Sequence, residues 1–589
     1  MSKLPDMVYA DKITKSTQVV FGGLRHHAAC ADGEIYDCEN ISAELYPVMS
    51  VRKGRMSYNA ISGSVAQIYA DKGKLIEAGG DGLFYDRINL IAKIADPENT
   101  SFIRFGDRVV MMPDKLLLNT KYNVLGIKQN KGELPADAAL YDAYAIHDEA
   151  GHYSIWVWDG EKWVDNGWFD EPIETAKTFG EVTIKNGTYK DEAAEANTIE
   201  VTNTEEYVKS SLRLKEGDAV EISGMTKEPR NNKVAIIREI AATDMGTCEI
   251  RFLENCFYIP EDGESYKETD VTIKRSMPDM DFLFEHGNRL WGAKGKEIFA
   301  CKLGDPRNWN VFDGLATDSW YLESQSKGEF TGGISYSYPR FFKEDSLLTI
   351  YGSAPSSYQT NEQKIGGLVA EEHRSLETAN GLLFWISKRG MMIFDGSSAR
   401  LQDQVFGDWQ LKNVISKADA TKCYVAAKLP DGLNAIFCYD TNRGLWVKEN
   451  GYDGKIISMT YDEGKIYALE EGYDGILWLN GESEQDENGA PVESFVEFGD
   501  FTENSPNRKA VSKLQLRLEL EEGAMVTVWL SYEGRSWIKA KEIRQGKKRS
   551  VYIPVIPHRC DYYRIKISGS GQWKLFSLTR EFYIGSEIH

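Results

Sequence analysis

Apolar and polar positions along this chain form a short sequence pattern, called a phrase below, that recurs many times. A tight turn is followed by a run of strand-forming residues, and a second turn is followed by another apolar strand. The two parts lie at 73–76 and 82–85, and they recur at 464–467 and 475–478. Related phrases occur at 106–110, 287–291, 344–348, 380–384 and 431–433. Asn-Gly and Asp-Gly between strand-forming runs are typical of β-hairpins, because both central residues of the turn need a positive φ. The repeated phrase therefore predicts a repeated hairpin.

The spacing of the turns predicts what the hairpins build. Turns near 73, 345, 381 and 432 are each 32–51 residues from the next one. This period is typical of propeller blades, each a small sheet that buries its faces against its neighbours. We predict an all-β fold whose main body is a β-propeller of six or seven blades. The longer interval between the turns at 106 and 287 predicts an insertion.

The propeller strands are predicted to occupy 58–127 and 276–480. Residues 1–57 form an N-terminal arm with one apolar strand, of the kind that closes a propeller by adding a strand to its last blade. The intervening 128–275 are a predicted inserted β domain, in which the alternating segment 212–222 is typical of a small barrel.

Two further segments follow the propeller. Residues 481–491 are acidic and rich in turn formers, which predicts a linker or exposed loop. Residues 492–589 contain runs in which apolar and polar positions alternate strictly, as in 514–520. Such period-2 patterning predicts a half-buried antiparallel sheet, most simply a C-terminal β-sandwich.

Composition supports a large, mainly β protein. The 589 residues include 30 Tyr, 24 Phe and 14 Trp, which favour strands. No stretch approaches the roughly 18 apolar residues of a membrane span, and residues 1–18 have no apolar core like that of a signal peptide. We expect no membrane span and assembly in a cytoplasm. Eight cysteines are too few for a disulfide-built scaffold, so reduced thiols are expected.

Charge is unevenly placed along the chain. The formal net charge is −21, and residues 507–589 carry sixteen basic and eight acidic side chains, which leaves −29 for the rest. An acidic body predicts no tight nucleic-acid binding, because affinity for phosphates comes largely from Lys and Arg; transient passage of DNA is compatible with it. Lys547, Lys548 and Arg549 are candidate docking or phosphate contacts of the basic end, and the alternative is that they only keep the protein soluble.

No catalytic signature occurs in the sequence. There is no phosphate-binding loop, His-Glu-x-x-His pair, Gly-x-Ser-x-Gly elbow or complete calcium loop. The group of residues most similar to a metal-binding cluster is His26, His27, Cys30 and Cys38, but their spacing matches no usual zinc finger. We predict no catalytic, cofactor-binding or metal-binding residues, and no enzyme activity.

Tryptophans are the candidate contact residues. Trp156, Trp158, Trp163 and Trp168 surround one turn and form either an exposed binding loop for a partner or glycan, or a hairpin clasp. In the C-terminal segment Trp529, Tyr532, Trp537 and Trp573 lie among basic residues and either stack on sugar rings or fill the core. Trp537 is the candidate glycan contact there.

Several short segments outside the insertion have a recognisable sequence: 21–24, 37–42, 46–48, 288–292, 301–309, 341–345, 351–355, 554–565 and 567–569. These segments resemble virion proteins of tailed bacteriophages that infect Gram-positive gut bacteria. The similarity is to the propeller-bearing hub or packaged-DNA-stabilisation proteins of short-tailed phages, and it covers most of the chain outside the insertion.

The resemblance implies a structural role. It implies a component of the virion neck or tail that forms an oligomeric ring around or at the end of the DNA conduit. Its implied partners are other copies of itself and neighbouring portal, adaptor or tail proteins. Two alternatives stay open from the residues: a receptor-binding or glycan-binding tail protein that uses the Trp clusters, and a propeller glycosidase that uses paired carboxylates.

Overall fold

The fold is almost entirely β, as predicted. A computed structural model describes residues 13–27, 30–91, 93–147, 151–187, 195–243, 245–260, 263–452, 454–486, 489–544 and 548–585. Within them the helices are short turns: Lys131–Glu133, Tyr207–Ser211, Pro229–Asn231, Pro355–Ser357, His373–Ser375 and Asp403–Phe406. No helix of this described part is long and apolar enough to cross a membrane.

The repeating element is a four-stranded antiparallel sheet in which consecutive strands pair, as expected of a propeller blade. The predicted turn chemistry produces it. Asn380 and Gly381 both have positive φ, as do Glu463 and Gly464, so each tight turn reverses the chain between two buried strands. The propeller-type fold is confirmed, and the number of blades stays a prediction.

The chain divides into two compact units, Met1–Glu77 with Ile365–His589, and Ala78–Lys364. The described residues of the first unit include three four-stranded sheets of the blade type. Their strands are Glu377–Ala379, Leu382–Ser387, Gly390–Phe394 and Ala399–Leu401; Lys412–Ala418, Lys422–Lys428, Asn434–Asp440 and Leu445–Tyr452; and Ile456–Asp462, Lys465–Glu470, Gly475–Ser483 and Gly54–Ala60.

An N-terminal strand completes the last of these blades. Gly54–Ala60 pairs antiparallel with Gly475–Ser483, so a strand from the start of the chain becomes the outer strand of a blade from residues 456–483. The strand Val65–Asp71 then packs on this blade, where the amides of Ile68 and Ala70 donate to the hydroxyls of Ser458 and Thr460. The division between the units falls just beyond, inside the strand Lys74–Gly79.

The C-terminal segment forms the predicted sandwich of two antiparallel sheets, but it does so with help from the N-terminus. One sheet has the strand order Ile41–Ser42, Met49–Val51, Trp573–Ile584, Lys509–Leu520 and Arg549–Pro554, and Ile13–Gln18 also pairs with Trp573–Ile584. The other has the order Ile35–Glu39, Glu493–Phe498, Tyr563–Ser570, Met525–Tyr532 and Ile538–Ile543.

The predicted boundaries of the arm and the sandwich therefore need correction. Of the strands described in the arm, Ile13–Gln18, Ile35–Glu39, Ile41–Ser42 and Met49–Val51 belong to the sandwich, and Gly54–Ala60 joins a blade. The physical reason is burial: Ile35, Cys38, Ile41 and Met49 are at most 2% exposed, because they cover the apolar faces that 492–589 alone would leave open to water.

The described residues of the second unit also include three four-stranded sheets of the blade type and the hairpin Gly82–Tyr85 with Ile88–Ile91. The blade strands are Ser101–Phe105, Arg108–Met112, Leu116–Asn119 and Asp170–Pro172; Phe282–His286, Arg289–Lys294, Glu297–Ala300 and Trp320–Glu323; and Gly332–Tyr336, Tyr338–Phe342, Ser346–Tyr351 and Gln359–Lys364.

The predicted insertion at 128–275 is two elements, and a blade strand separates them. A four-stranded sheet of Val124–Lys128, Ala143–His147, Tyr153–Trp158 and Trp163–Trp168 comes first. Asp170–Pro172 then returns to pair with Leu116–Asn119 as the fourth strand of a blade. The second element is a closed barrel of Thr175–Gly187, Glu195–Val201, Cys248–Phe252, Lys233–Ala242, Ala219–Ser223 and Ser265–Arg275. The prediction of a small barrel is confirmed.

The predicted linker 481–491 is anchored. The strand Gly475–Ser483 extends into it, and the Asp486 carboxylate accepts two hydrogen bonds from the Arg52 guanidinium, at 2.8 and 3.1 Å, and one from the Arg55 amide at 3.0 Å. Arg52 is 5% exposed, so a buried cation needs this carboxylate. The polar sequence of this segment predicts a linker because the residue that anchors Asp486, Arg52, lies more than 400 residues away in the chain.

Replacement of Asp486 tests the anchor. Asp486→Ala leaves the guanidinium of Arg52 buried without its carboxylate, and we expect the free energy of unfolding to fall by about 2–3 kcal/mol. The neighbouring Glu484 is exposed, so Glu484→Ala serves as the matched control. We expect this control to change the free energy of unfolding by less than about 0.5 kcal/mol. Equal effects in thermal or urea unfolding would contradict the anchor.

Acid should remove the same stabilisation. Burial raises the pKa of Asp486, but hydrogen bonds and charge from Arg52 outweigh burial and hold the pKa below the ordinary 3.8. A depressed folded-state pKa stabilises the fold above the unfolded pKa, and this stabilisation is lost as the pH falls through the folded value. The difference in melting temperature between the parent and Asp486→Ala should therefore be constant above about pH 5 and narrow below about pH 4.

Candidate functional site

Two of the four tryptophans of the inserted sheet pack on each other. Trp158 and Trp163 face each other across a strand pair, with ring centroids 5.4 Å apart and an edge-on arrangement. Trp163 also meets Tyr144 edge-on at 5.6 Å and donates its indole N–H to the carbonyl of Pro135 at 2.8 Å. The loop that carries Pro135 is thus fastened to this aromatic cluster.

Trp156 and Trp168 are each covered by a cation. The Lys131 ammonium lies 4.5 Å from the ring centroid of Trp156. Trp168 is contacted by two side chains of the barrel element, with Arg213 at 4.4 Å and Lys215 at 4.1 Å. The four tryptophans therefore do not form one open platform, and their contacts favour the hairpin-clasp interpretation over the binding loop.

The sandwich aromatics separate into two pairs. Trp573 and Tyr532 are 1% and 7% exposed and belong to the core, where the Trp573 indole donates to the Ser494 hydroxyl at 3.0 Å. Trp529 and Trp537 are half-buried. Both line one groove of about 450 Å³ on the sandwich, a volume in the range of small-molecule sites. The groove is lined by Glu39, Glu493, Ser494, Phe495, Trp529, Trp537, Lys566 and Ser568.

Strand register places the groove residues side by side. Phe495 is opposite Ser568, and Trp529 is opposite Lys566, so the two rings lie on either side of the strand Tyr563–Ser570 in successive rows. The Trp529 indole donates to the Ser568 hydroxyl at 2.9 Å, which fixes its plane. The Lys566 ammonium lies 4.2 Å from the ring centroid of Phe495.

A tight turn delivers Trp537 to the same groove. Glu533 and Gly534 have φ of 51° and 71°, the conformation that Gly tolerates and that two-residue hairpin turns require. The Ser531 hydroxyl donates to the Arg535 carbonyl at 2.6 Å. The turn sets the position of the indole that follows it.

Two carboxylates face the aromatic residues. Glu39 is opposite Phe495 at the end of the edge strand, and Glu493 lies two residues before Phe495 on the same strand. Sequence analysis missed Glu39, Glu493, Phe495 and Lys566 as site residues. Alternation in 493–498 and 563–570 indicates their outward direction, but nothing local shows that Glu39 pairs with a strand more than 400 residues away.

The candidate docking residues lie at one edge of the sandwich. Lys548 and Arg549 are exposed, and the Lys548 ammonium lies 3.7 Å from the ring centroid of Phe576; Lys547 lies outside the described residues. Arg549 opens one edge strand, and Lys539 and Lys541 are exposed on the edge strand of the other sheet. We call these four described side chains the basic edge.

The opposite edge of the sandwich is acidic and forms ion pairs with a blade of the same chain. It is formed by the N-terminal strands, and Asp37 pairs with Lys448 of the strand Leu445–Tyr452 at 2.7 Å, while Glu44 pairs with Lys422 of the same blade. Residues 13–51 carry two basic and five acidic side chains and 492–506 carry four acidic ones. These segments carry −3 and −4, and 507–589 carry +8, so the net charge of the whole sandwich is about +1. The charge of the sandwich is therefore polarised between its edges and not strongly basic overall.

Two of the histidine and cysteine residues near the N-terminus, His26 and Cys38, have packing roles. His26 stacks on Trp409 with centroids 3.8 Å apart, and Cys38 is buried against the backbone of Lys448. Among the described residues no three His, Cys, Asp or Glu side chains are grouped as a metal site.

Comparisons with known proteins do not define a family. No family model matches the chain, and no curated protein matches it. Three similar solved structures are the computationally designed Ika8 protein (9% identity, covering 72% of this chain and 99% of that one, TM-score 0.30), the β-propeller domain of the Trilobed protease from Pyrococcus furiosus (11%, 65% and 95%, 0.22) and an exo-β-1,3-galactanase from Phanerochaete chrysosporium (10%, 51% and 94%, 0.21). Similarities this low carry no argument about function.

Two substitutions in the sandwich separate core from groove. Trp573→Ala removes a buried ring and should lower the free energy of unfolding by about 3–5 kcal/mol. Trp537→Ala removes a half-buried ring and should lower it by about 1 kcal/mol or less. Urea unfolding measures both, and a large loss in Trp537→Ala would assign that residue to the core instead.

Proposed function

We propose that this protein is a structural, non-enzymatic component of a tailed-phage virion, located in the neck or tail and assembled with other copies of itself as an oligomeric ring. The location rests on the resemblance of its structural phrases to hub and packaged-DNA-stabilisation proteins. The assembly rests on the polarised sandwich, which is the one observation that carries the proposal.

The polarised sandwich offers one edge for docking. Its acidic edge contacts a blade of the same chain through Asp37 and Glu44. Within the described residues no strand pairs with the outer side of Ile538–Ile543 or Arg549–Pro554. Lys539, Lys541 and the terminal Pro554 discourage strand addition at such edges, so docking there is electrostatic.

The rest of the chain supplies a complementary surface. Residues 52–491 carry a net charge of about −22, so a second copy presents acidic surface to the basic edge. Contact between two different surfaces of identical subunits is heterologous, and it closes into a ring when the rotation per subunit allows. The neighbouring portal, adaptor or tail proteins are the further partners that the resemblance implies.

Charge reversal tests the assembly. The variant Lys541→Glu/Lys548→Glu/Arg549→Glu replaces three exposed cations, and we expect it to remain monomeric where the parent self-associates. Association of the parent should weaken as salt rises, because exposed charges are screened. Sedimentation velocity of the full chain at low and moderate salt measures both effects.

The matched control reverses three exposed lysines elsewhere in the same unit. Lys53, Lys412 and Lys428 are exposed, and their triple Glu variant should assemble like the parent. Equal loss in both variants would show that only net charge matters. A parent that stays monomeric at every concentration would contradict a homo-oligomeric ring.

Duplex DNA provides a second test. An acidic body lets DNA pass without gripping it, so we expect weak binding at low salt that disappears near physiological salt. Residual binding should map to Lys547, Lys548 and Arg549 and fall by roughly one power of salt concentration per phosphate contact. Tight, salt-insensitive binding of a labelled duplex in an anisotropy titration would contradict passage without gripping.

The receptor-binding alternative is favoured by its own observation, the aromatic groove. The glycosidase alternative needs two carboxyl groups that face a bound sugar. Glu39 and Glu493 both line the groove, so release of reducing sugar from any carbohydrate that binds there is the measurement that separates hydrolysis from binding.

A further inference from the structure

The groove on the sandwich combines flat rings with hydrogen-bonding groups of both kinds. Trp529, Trp537 and Phe495 supply apolar faces, and the Trp529 indole is held by its hydrogen bond to Ser568. Lys566 and the Ser568 hydroxyl are donors, and Glu39 and Glu493 are acceptors. We propose that this groove is a binding site for a neutral, hexose-based oligosaccharide.

The combination of groups favours a sugar over other ligands. A pyranose ring has apolar C–H faces that pack on aromatic rings, and each of its hydroxyls both donates and accepts. Neighbouring hydroxyls can therefore bridge a carboxylate and an ammonium, which is the pairing that Glu39, Glu493 and Lys566 provide. A purely apolar ligand would displace water from these polar groups without offering them hydrogen bonds, at a cost in binding free energy.

Charge selects among sugars and against nucleic acid. Two carboxylates and one ammonium line the groove, so its lining is acidic. Single-stranded nucleic acid also stacks on tryptophan, but its binding needs a positively charged groove that follows the phosphates. Uronic acid polymers meet the same repulsion, which leaves neutral chains as the ligand class.

The groove is preformed to a large extent. Trp529 and Phe495 lie on two strands that both pair with Tyr563–Ser570 in one sheet. The turn at Glu533 and Gly534 is fixed by two hydrogen bonds, from Ser531 and from the Arg535 amide, which donates to the Tyr532 carbonyl at 3.0 Å. Rings that are already oriented lose little conformational entropy when a ligand binds.

Binding is tested with the full chain and a defined panel. The probes are cello-, malto-, laminari- and β-galacto-oligosaccharides as neutral ligands, with polygalacturonate oligomers as the anionic arm, titrated by calorimetry and by tryptophan fluorescence. We expect at least one neutral oligosaccharide to bind with a dissociation constant at or below about 1 mM, and the anionic oligomers to bind more weakly.

Variants assign the binding to the groove. Trp537→Ala should weaken binding by about fivefold to tenfold, and Lys566→Met should weaken it while the aromatic faces stay. Tyr552 is 52% exposed on the other sheet of the sandwich, and Tyr552→Ala is the control that should bind like the parent. Near-ultraviolet circular dichroism reports whether each variant keeps the packed sandwich.

The binding results decide whether the groove is a carbohydrate site, and they do not depend on the proposed role in the virion. No binding across the panel at millimolar concentration would overturn the proposal, as would unchanged affinity in a folded Trp537→Ala variant. Stronger binding of the anionic oligomers would overturn the neutral-ligand assignment. Because Trp537 is not part of the basic edge, a failure here leaves the assembly result unaffected, and a failure of assembly leaves the binding result unaffected.

Discussion

The structure of the first unit depends on pairing between the two ends of the chain. Strands from residues 13–51 complete both sheets of a sandwich built from 492–585, and the next strand, Gly54–Ala60, completes a blade. Arg52 lies between these two attachments. Its guanidinium contacts Asn40 and Asp486, and its carbonyl accepts a hydrogen bond from Gln572. One buried cation thus ties the arm, the segment after the last blade and the C-terminal sheets together.

This pairing also creates the groove. Glu39 comes from the N-terminal edge strand, whereas Phe495, Lys566 and Trp529 come from the C-terminal strands. The same edge strand is fixed to a blade through Asp37 and Lys448. A site whose walls come from both ends of the chain forms only in the folded unit, which explains why no single stretch of sequence carries it.

The local half of the fold could be predicted from sequence, and the long-range half could not. Hairpin turns such as Asn380–Gly381 and Glu533–Gly534 follow from the need for positive φ, and alternation identified the strands of the sandwich and of the barrel. Pairing partners separated by hundreds of residues leave no local pattern, so the arm and Asp486 were misassigned. Trp537 and Trp573 have similar surroundings in sequence, and only tertiary packing separates the groove residue from the core residue.

The groove and the basic edge share one short segment of chain. Trp537 directly precedes Ile538–Ile543, which is the outer strand of its sheet and carries Lys539 and Lys541. The proposed ligand contacts the indole of Trp537, and the proposed docking uses the lysines that follow it on this strand. If ligand binding changes the affinity of docking, thermodynamic linkage requires docking to change the affinity of the groove by the same factor. The two proposed roles use different side chains, so a substitution at Trp537 and a substitution at the basic edge test them separately.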